Sequence, residues 1–245
     1  MMRRLAALVC WAALAASCST GGLFRQYEYE EEMYLSLDGT TTVYVNSSVA
    51  ALDALRGTSF SSNPSAAVDR DKAREWYSTP VTRVTRVTTS RRSNRRFVHV
   101  RLDVDDVRKL GDAAPFAWSV YDFKLDGNRY IYTQKVASSA AKEVGSVGWT
   151  GQEIAAFRLH LPSKVEYQNT DSPKRGNILV WEQSLDDRRK SVPLTLETRI
   201  ETQSILYRTL WLFGITFVVV AVMFAGLIAW ILRKGTGGSR LGIST

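Results

Sequence analysis

The longest run of residues without a charge lies near the C-terminus, at residues 209–232, and covers 24 positions. At ~1.5 Å per helical residue this run would extend ~36 Å, enough to cross the ~30 Å hydrocarbon core of a bilayer. Trp211 and Trp230 lie near its two ends, where indole rings favour the membrane interface. Arg233 and Lys234 follow directly, and basic residues stay on the cytosolic side. The pattern predicts one membrane-spanning helix with a cytosolic C-terminus.

A second, shorter apolar run occupies residues 5–16 and follows Arg3 and Arg4. This arrangement is typical of a secretory signal peptide, and the run is too short to span a bilayer. Cys18 then follows Leu-Ala-Ala-Ser, which resembles the lipobox of bacterial lipoproteins. We therefore expect Cys18 to be acylated as the mature N-terminus. The alternative is ordinary cleavage near Ala16, which would leave Cys18 without a lipid.

The two apolar runs divide the chain into four parts. We expect a signal peptide at residues 1–17, an extracytoplasmic domain at 18–205, a transmembrane helix at 206–232 and a cytosolic tail at 233–245. An exported N-terminus and a cytosolic C-terminus require one crossing of the membrane, and the sequence supplies one. The predicted location is the bacterial cell membrane, with a single pass and most of the chain outside the cytosol.

Between the apolar runs, alternating hydrophobic and polar positions predict strands, and short capped segments predict helices. Asp-Gly pairs at residues 38–39 and 126–127 predict two tight hairpin turns. The fold class expected is α+β, mostly antiparallel sheet with short helices. Strands are predicted at 27–37, 40–45, 81–88, 97–104, 117–125, 128–136, 154–161, 178–184 and 194–202, and helices at 49–57, 71–77 and 105–110.

The net charge of +8 arises largely from the two ends of the chain. Five of the 32 basic residues flank the apolar runs, which leaves 27 basic residues against 24 acidic residues in the domain. A surplus of three charges is too small for a surface that neutralises many phosphates. The composition therefore argues against nucleic acid as a partner.

Candidate catalytic groups are few. The only two histidines, His99 and His160, alternate with apolar residues, which predicts that both lie on polar strand faces. No Gly-x-Ser-x-Gly motif is present, and one cysteine beyond the signal run cannot build a zinc site. Asp103, Asp105 and Asp106 lack the glycine and distal glutamate of a calcium loop and are better explained as a helix start. We expect no enzyme activity, no metal and no cofactor.

Six arginines lie within fourteen residues, on and beside one predicted hairpin tip. They are Arg83, Arg86, Arg91, Arg92, Arg95 and Arg96. Such a cluster could bind phosphate head groups or an anionic polymer through bidentate contacts. The alternative is a solvated tip whose arginines pair with acidic residues of the same domain.

A glycine-rich loop at residues 145–151 carries a single tryptophan, Trp149. Three glycines around one indole could present it as an aromatic anchor for a lipid, a sugar or a protein. The alternative is that Trp149 folds back and covers the edge of the sheet.

The layout of the chain resembles the LppM-like bacterial lipoproteins. The local resemblance covers residues 157–165 and 176–181, where a strand ends in proline and a Gly-Asn pair precedes a strand that contains tryptophan. Ser163 departs from the pattern, since glycine is expected after the proline. The resemblance implies a surface-exposed domain that is associated with lipid or with the envelope, and it implies no catalytic residues.

These observations favour a membrane-anchored binding module for an envelope lipid, polymer or protein. One alternative is an accessory subunit of a membrane complex, although Gly214 and Gly226 do not have the GxxxG spacing of packed helices. Another is an extracytoplasmic hydrolase, which would have to use His99 or His160.

Overall fold

The computed structural model describes residues 25–61, 63, 66–172 and 176–235. The predicted signal peptide, Cys18 and the end of the cytosolic tail lie outside the described residues, so their assignments remain predictions.

Within the described residues the chain forms ten strands, four α-helices and two short 3-10 helices. The strands are β1 Gln26–Leu35, β2 Thr41–Ser48, β3 Thr82–Arg92, β4 Arg95–Val104, β5 Ser119–Asp126, β6 Arg129–Val136, β7 Glu153–His160, β8 Ser163–Gln168, β9 Ile178–Ser184 and β10 Leu194–Ser204. The α-helices are α1 Val49–Arg56, α2 Arg70–Tyr77, α3 Leu185–Arg189 and α4 Ile205–Gly235, and the 3-10 helices are Val107–Asp112 and Ala114–Phe116.

The strands form two sheets. One has six strands in the order β3-β4-β2-β1-β7-β9, and the other has four in the order β5-β6-β10-β8. Neighbouring strands are antiparallel except β1 and β7, which run parallel. The predicted α+β class with mostly antiparallel sheet is confirmed.

Local sequence signals account for most element boundaries. The Ser48 side chain accepts a hydrogen bond from the Ala51 amide and caps α1, which ends at Gly57 in the left-handed conformation (φ 70°). The helix predicted at 105–110 is a 3-10 helix. Three elements were not predicted: β8, the helix α3 and the 3-10 helix Ala114–Phe116. The last two have five and three residues, too few for a helical period.

The core lies between the two sheets. Tyr29 of β1 packs edge-on against Trp118 with ring centroids 5.3 Å apart, and Phe157 of β7 packs against both rings. The opposite face of the six-stranded sheet, which we call the open face, carries the alternate residues of each strand. These are largely exposed or half-buried, as for Tyr34 at 43% exposure, and no described helix or strand forms a layer over them.

Helix α4, over Ile205–Lys234, is the one described helix that is long and apolar enough to cross a membrane, and its most apolar 18-residue window has a mean hydropathy of 2.7. This helix supports membrane association of the chain. It follows β10 without a linker, and the Ile205 amide donates to the Pro162 carbonyl at 3.0 Å. Trp211 and Trp230 lie toward the two ends of α4, and the Lys234 ammonium lies 4.4 Å from the Trp230 ring centroid. Arg233 lies in the last turn.

A buried carboxylate lies between the two sheets. The Glu31 oxygens accept hydrogen bonds from the Tyr121 hydroxyl at 3.0 Å, the Gln134 amide at 3.0 Å and the Tyr29 hydroxyl at 3.1 Å. Burial raises the pKa of Glu31, and the positive charge of Arg56 and these donors oppose that rise only in part. Relative to the unfolded chain, folding therefore shifts the proton equilibrium of this side chain toward the protonated form.

Replacing Glu31 with Gln should remove a pH dependence of stability. Because the folded pKa is raised, stabilisation from the neutral carboxyl is complete below the unfolded pKa of about 4.3 and is lost as pH rises through the folded pKa. We expect the thermal unfolding midpoint of the wild-type chain in detergent, followed by circular dichroism, to fall relative to that of Glu31→Gln as pH rises. Glu143→Gln, on the surface, is the control. A pH-independent difference between wild type and Glu31→Gln would contradict this assignment.

Candidate functional site

The arginine-rich segment forms the β3–β4 hairpin, whose turn residues Ser93 and Asn94 have φ values of 49° and 58°. Left-handed conformations at both central positions suit a two-residue hairpin turn. The hairpin lies at one edge of the six-stranded sheet, because β3 pairs only with β4. The six predicted arginines do not share one environment.

Arg95 turns inward and serves the structure. Its Nε lies 3.0 Å from a carboxylate oxygen of Glu28, a residue with no exposed surface. Its two terminal nitrogens donate to the Gly148 carbonyl at 2.8 Å and to the Gln26 side chain at 3.0 Å. These contacts give Arg95 a structural role and set it apart from the outward-facing arginines of the predicted ligand site.

Arg96 is also buried, with 8% exposure. It donates to the backbone carbonyls of Ser61 and Ala66. Burial lowers the pKa of Arg96, and the positive charge of Arg91 lowers it further. Arg96 holds the segment before α2 against the hairpin, so its contacts are structural as well.

A cavity of about 470 Å³ adjoins the hairpin tip, and Arg95 and Arg96 border it together with Asn94 and Ser146. Because the terminal nitrogens of both guanidinium groups already donate to protein oxygens, an anion in this cavity would have to compete with existing contacts. The cavity is therefore a poor anion site.

The other four predicted arginines point outward. Arg91 donates to the Asn94 side chain at 2.7 Å, and Arg83 lies 3.5 Å from Asp103. Arg92 donates to the Tyr27 carbonyl and lies over the Phe97 ring at 4.5 Å. Arg86 is exposed.

Pairing across β3 and β4 places Arg86 directly opposite Arg101. A bulge at Thr85 keeps Arg83 and Arg86 on the same face of the sheet, although they are three residues apart. The Arg101 guanidinium lies 5.5 Å from the Tyr44 ring centroid, which places it on the open face. Like charges directly opposite in a sheet are destabilising. Among the described residues, neither Arg86 nor Arg101 forms an ion pair with a carboxylate.

The two halves of the open face differ in how their ionisable side chains are paired. On β1, β7 and β9 the ionisable side chains have polar partners, as Glu30 with Arg158 at 2.9 Å, Glu32 with His160 at 2.6 Å, and Glu182 with Arg25. On β3 and β4 the open face carries one acid, Asp103, which contacts Arg83, and four cations. We call these cations, Arg83, Arg86, Arg92 and Arg101, the basic strip.

A hydrogen-bonded group of three side chains crosses β3, β4 and β2 beside the basic strip. The Ser90 hydroxyl lies 2.7 Å from Nε2 of His99, and Nδ1 of His99 lies 2.9 Å from the amide oxygen of Asn46. Burial lowers the pKa of His99, and the charge of Arg92 lowers it further, so the imidazole is neutral at neutral pH.

Sequence reasoning placed His99 on a polar strand face, as observed, but missed Ser90, Asn46 and Arg101. Ser90 and Asn46 come close to His99 through strand pairing, which sets Thr88 and Asn46 on either side of it. Such pairing between distant strands cannot be seen in a local sequence pattern. The second histidine, His160, stacks on Tyr34 with ring centroids 4.0 Å apart.

Trp149 folds back onto the domain. Its indole N–H donates to Glu28 at 3.3 Å, the Arg189 guanidinium lies 5.3 Å from its ring centroid, and the side chain is half-buried against the core. The structure thus places it in the second of the two predicted arrangements, and Trp149 is not presented as an aromatic anchor.

The acidic residues near the end of β4 have structural contacts. Asp106 accepts from the Arg108 amide at 3.0 Å and caps a 3-10 helix, as a helix-start interpretation predicts. Asp103 accepts from the Thr42 hydroxyl at 3.1 Å in addition to its contact with Arg83. In the part of the chain that the structure describes, no group of three or more His, Cys, Asp or Glu side chains is placed to hold a metal ion.

Fold and surface together define a membrane-associated α+β domain with an uncovered sheet face and a basic strip along one edge. No family model and no curated protein matches the chain. Among solved structures, the chain is similar to the NMR structure of the folded domain of Mycobacterium tuberculosis LppM, with 12% sequence identity and a TM-score of 0.39. The match covers 74% of this chain and 94% of that one. This distant likeness assigns neither a family nor a function.

Arg95→Met and Arg91→Met should separate structural arginines from surface arginines. Removing Arg95 leaves the Glu28 carboxylate buried without its cation, which should cost about 3–5 kcal/mol of unfolding free energy. Removing the exposed Arg91 should change stability by no more than about 0.5 kcal/mol. Chemical unfolding of both variants in detergent measures the difference. Equal stability of the two variants would overturn the assignment of Arg95 to the structure.

Proposed function

We propose that the chain is a membrane-anchored extracytoplasmic binding domain that binds an anionic polymer of the cell envelope along the basic strip. The predicted signal peptide and the basic residues after α4 support an orientation with the sheets outside the cytosol. In this orientation both sheets, and with them the open face, lie on the envelope side of the membrane.

The observation that carries the proposal is the Arg86–Arg101 pair. Two exposed guanidinium groups face each other across β3 and β4, and no described carboxylate neutralises either one. Each can donate two parallel hydrogen bonds to a carboxylate, sulfate or phosphate group. A bound anion would convert a repulsive pair into a bridged one.

The shape of the basic strip favours a polymer over a single head group. The segment of β3 from Arg83 to Arg92 contains ten residues. At ~3.3 Å per residue it gives the basic strip a length of about 30 Å. Four cations spread over that length match a linear ligand with repeated charges.

The position of the hairpin also favours a polymer. The turn at Ser93 lies at the end of the sheet where Arg95 contacts Gln26, at the start of β1. Helix α4 begins at the other end, where Pro162 follows β7. The eight residues of β7 separate these ends by about 25 Å, so the strip extends away from the start of the membrane helix.

Binding of a model polyanion tests the proposal. The full chain in zwitterionic nanodiscs is titrated with fluorescent dextran sulfate, with neutral dextran as the ligand control. The triple variant Arg86→Ser, Arg92→Ser, Arg101→Ser should bind at least about tenfold more weakly. The dependence of affinity on salt should also become shallower, by about one unit of slope for each arginine that no longer pairs with a sulfate group.

A matched variant controls for net charge. Lys109, Lys135 and Lys190 are exposed and lie outside the basic strip, so replacing all three with Ser removes the same charge from elsewhere. This control should keep nearly the wild-type affinity. Equal weakening of both triple variants would overturn the proposed site. Binding to nanodiscs that contain anionic lipid, without binding to dextran sulfate, would replace the polymer with a lipid head group.

A further inference from the structure

The group Ser90–His99–Asn46 has the connectivity of a serine nucleophile and its base. The amide oxygen of Asn46 accepts a hydrogen bond from Nδ1 of His99 at 2.9 Å, so the proton of a neutral imidazole resides on Nδ1. The lone pair of Nε2 then faces the Ser90 hydroxyl at 2.7 Å. This tautomer is the one that can take a proton from serine.

The environment keeps His99 able to act as a base. Its ring is half-buried and stacks beside Phe97 with centroids 6.5 Å apart. The groups that face it from neighbouring strands are Ser90 on β3, Asn46 on β2 and the cation of Arg92, and burial together with Arg92 lowers the pKa of His99. The imidazole is therefore unprotonated at neutral pH.

A positive charge lies over the ring of the residue that pairs with Ser90 across the strands. Phe97 is the cross-strand partner of Ser90, and the Arg92 guanidinium lies 4.5 Å from the centroid of the Phe97 ring. Arg92 also follows Ser90 by two residues on the same strand, so both side chains belong to the open face. A guanidinium in this position can stabilise an oxyanion that forms at a carbonyl attacked by Ser90.

We propose that Ser90, His99 and Arg92 form a hydrolytic site for carboxylic esters, with Asn46 as a positioning residue. The substrate class rests on the proposed function: an ester carried by the anionic polymer that lies along the basic strip. Ser90 is exposed and shares its strand and face with Arg86 and Arg92, so a polymer bound to these arginines passes over its hydroxyl.

The reaction has two balanced halves. The Ser90 oxygen bonds to the ester carbonyl carbon while His99 Nε2 takes the hydroxyl proton, and the carbonyl electron pair moves to the oxygen beside Arg92. Collapse of this intermediate breaks the bond to the alcohol oxygen, which receives the proton from His99 and leaves. Water then repeats the attack on the acyl-serine with His99 as base, and the carboxylic acid departs with Ser90 restored.

Covalent labelling tests the site directly. The full chain in detergent is treated with a fluorescent fluorophosphonate, which reacts with activated serines, and the modified residue is located by mass spectrometry. We expect labelling of Ser90 that is absent in Ser90→Ala and slower by about a hundredfold or more in His99→Ala. Ser78→Ala, at another exposed serine, should label like the wild type.

The pH dependence of Ser90 labelling distinguishes a positioning role of Asn46 from a merely structural role. Asn46→Ala should slow labelling, and Asn46→Asp should restore it with the profile moved to higher pH, because a carboxylate beside Nδ1 raises the pKa of His99. A wild-type chain that is folded by circular dichroism but leaves Ser90 unlabelled overturns the inference.

Dextran sulfate binding, measured on the same preparations, separates the two proposals. Polyanion binding without labelling of Ser90 overturns the hydrolytic site and leaves the proposed function standing. Labelling without polyanion binding overturns the polymer-borne substrate and the proposed function, while the serine site stands.

Discussion

The parallel pairing of β1 with β7 is the interaction on which the rest of the structure depends. It joins β3-β4-β2-β1 to β7-β9 and so creates a sheet wide enough to have both a core face and an open face. Its register places Tyr29 beside Ala155 and Met33 beside Leu159, which builds the core against the second sheet. A bulge between Tyr27 and Tyr29 lets Glu28 point inward as well, where it meets Arg95.

That inward glutamate explains how a strongly basic hairpin can fold. Three arginine pairs face each other across β3 and β4: Arg86 with Arg101, Arg91 with Arg96, and Arg92 with Arg95. In two of these pairs one member is diverted into the protein, Arg95 to Glu28 and Arg96 to backbone carbonyls. In the Arg86–Arg101 pair, neither guanidinium is turned into the protein in this way. A repulsive contact that stability alone would not favour is the kind of compromise expected where a surface binds a ligand.

The sequence predicted the features of the fold that depend on residues close together in the chain. Alternation and Asp-Gly turns located nine of the ten described strands, and the helix predicted at 49–57 corresponds to α1. Pairing between distant strands could not be predicted, because neither the parallel β1–β7 contact nor the register beside His99 has a local signature. For the same reason the six arginines looked alike in sequence, although residues far away in the chain decide that Arg95 is buried and Arg86 is exposed.

The most direct measurement is the effect of Arg86→Glu on stability and on polyanion affinity in one preparation. The substitution places a carboxylate opposite Arg101, so the unfolding free energy should rise by about 0.2–1 kcal/mol. Dextran sulfate binding should weaken by about tenfold or more, because one cation of the strip is replaced by an anion. A variant that is more stable and binds dextran sulfate less tightly supports the account in which the basic strip serves ligand binding at a cost in stability. Lower stability with unchanged affinity would contradict the account.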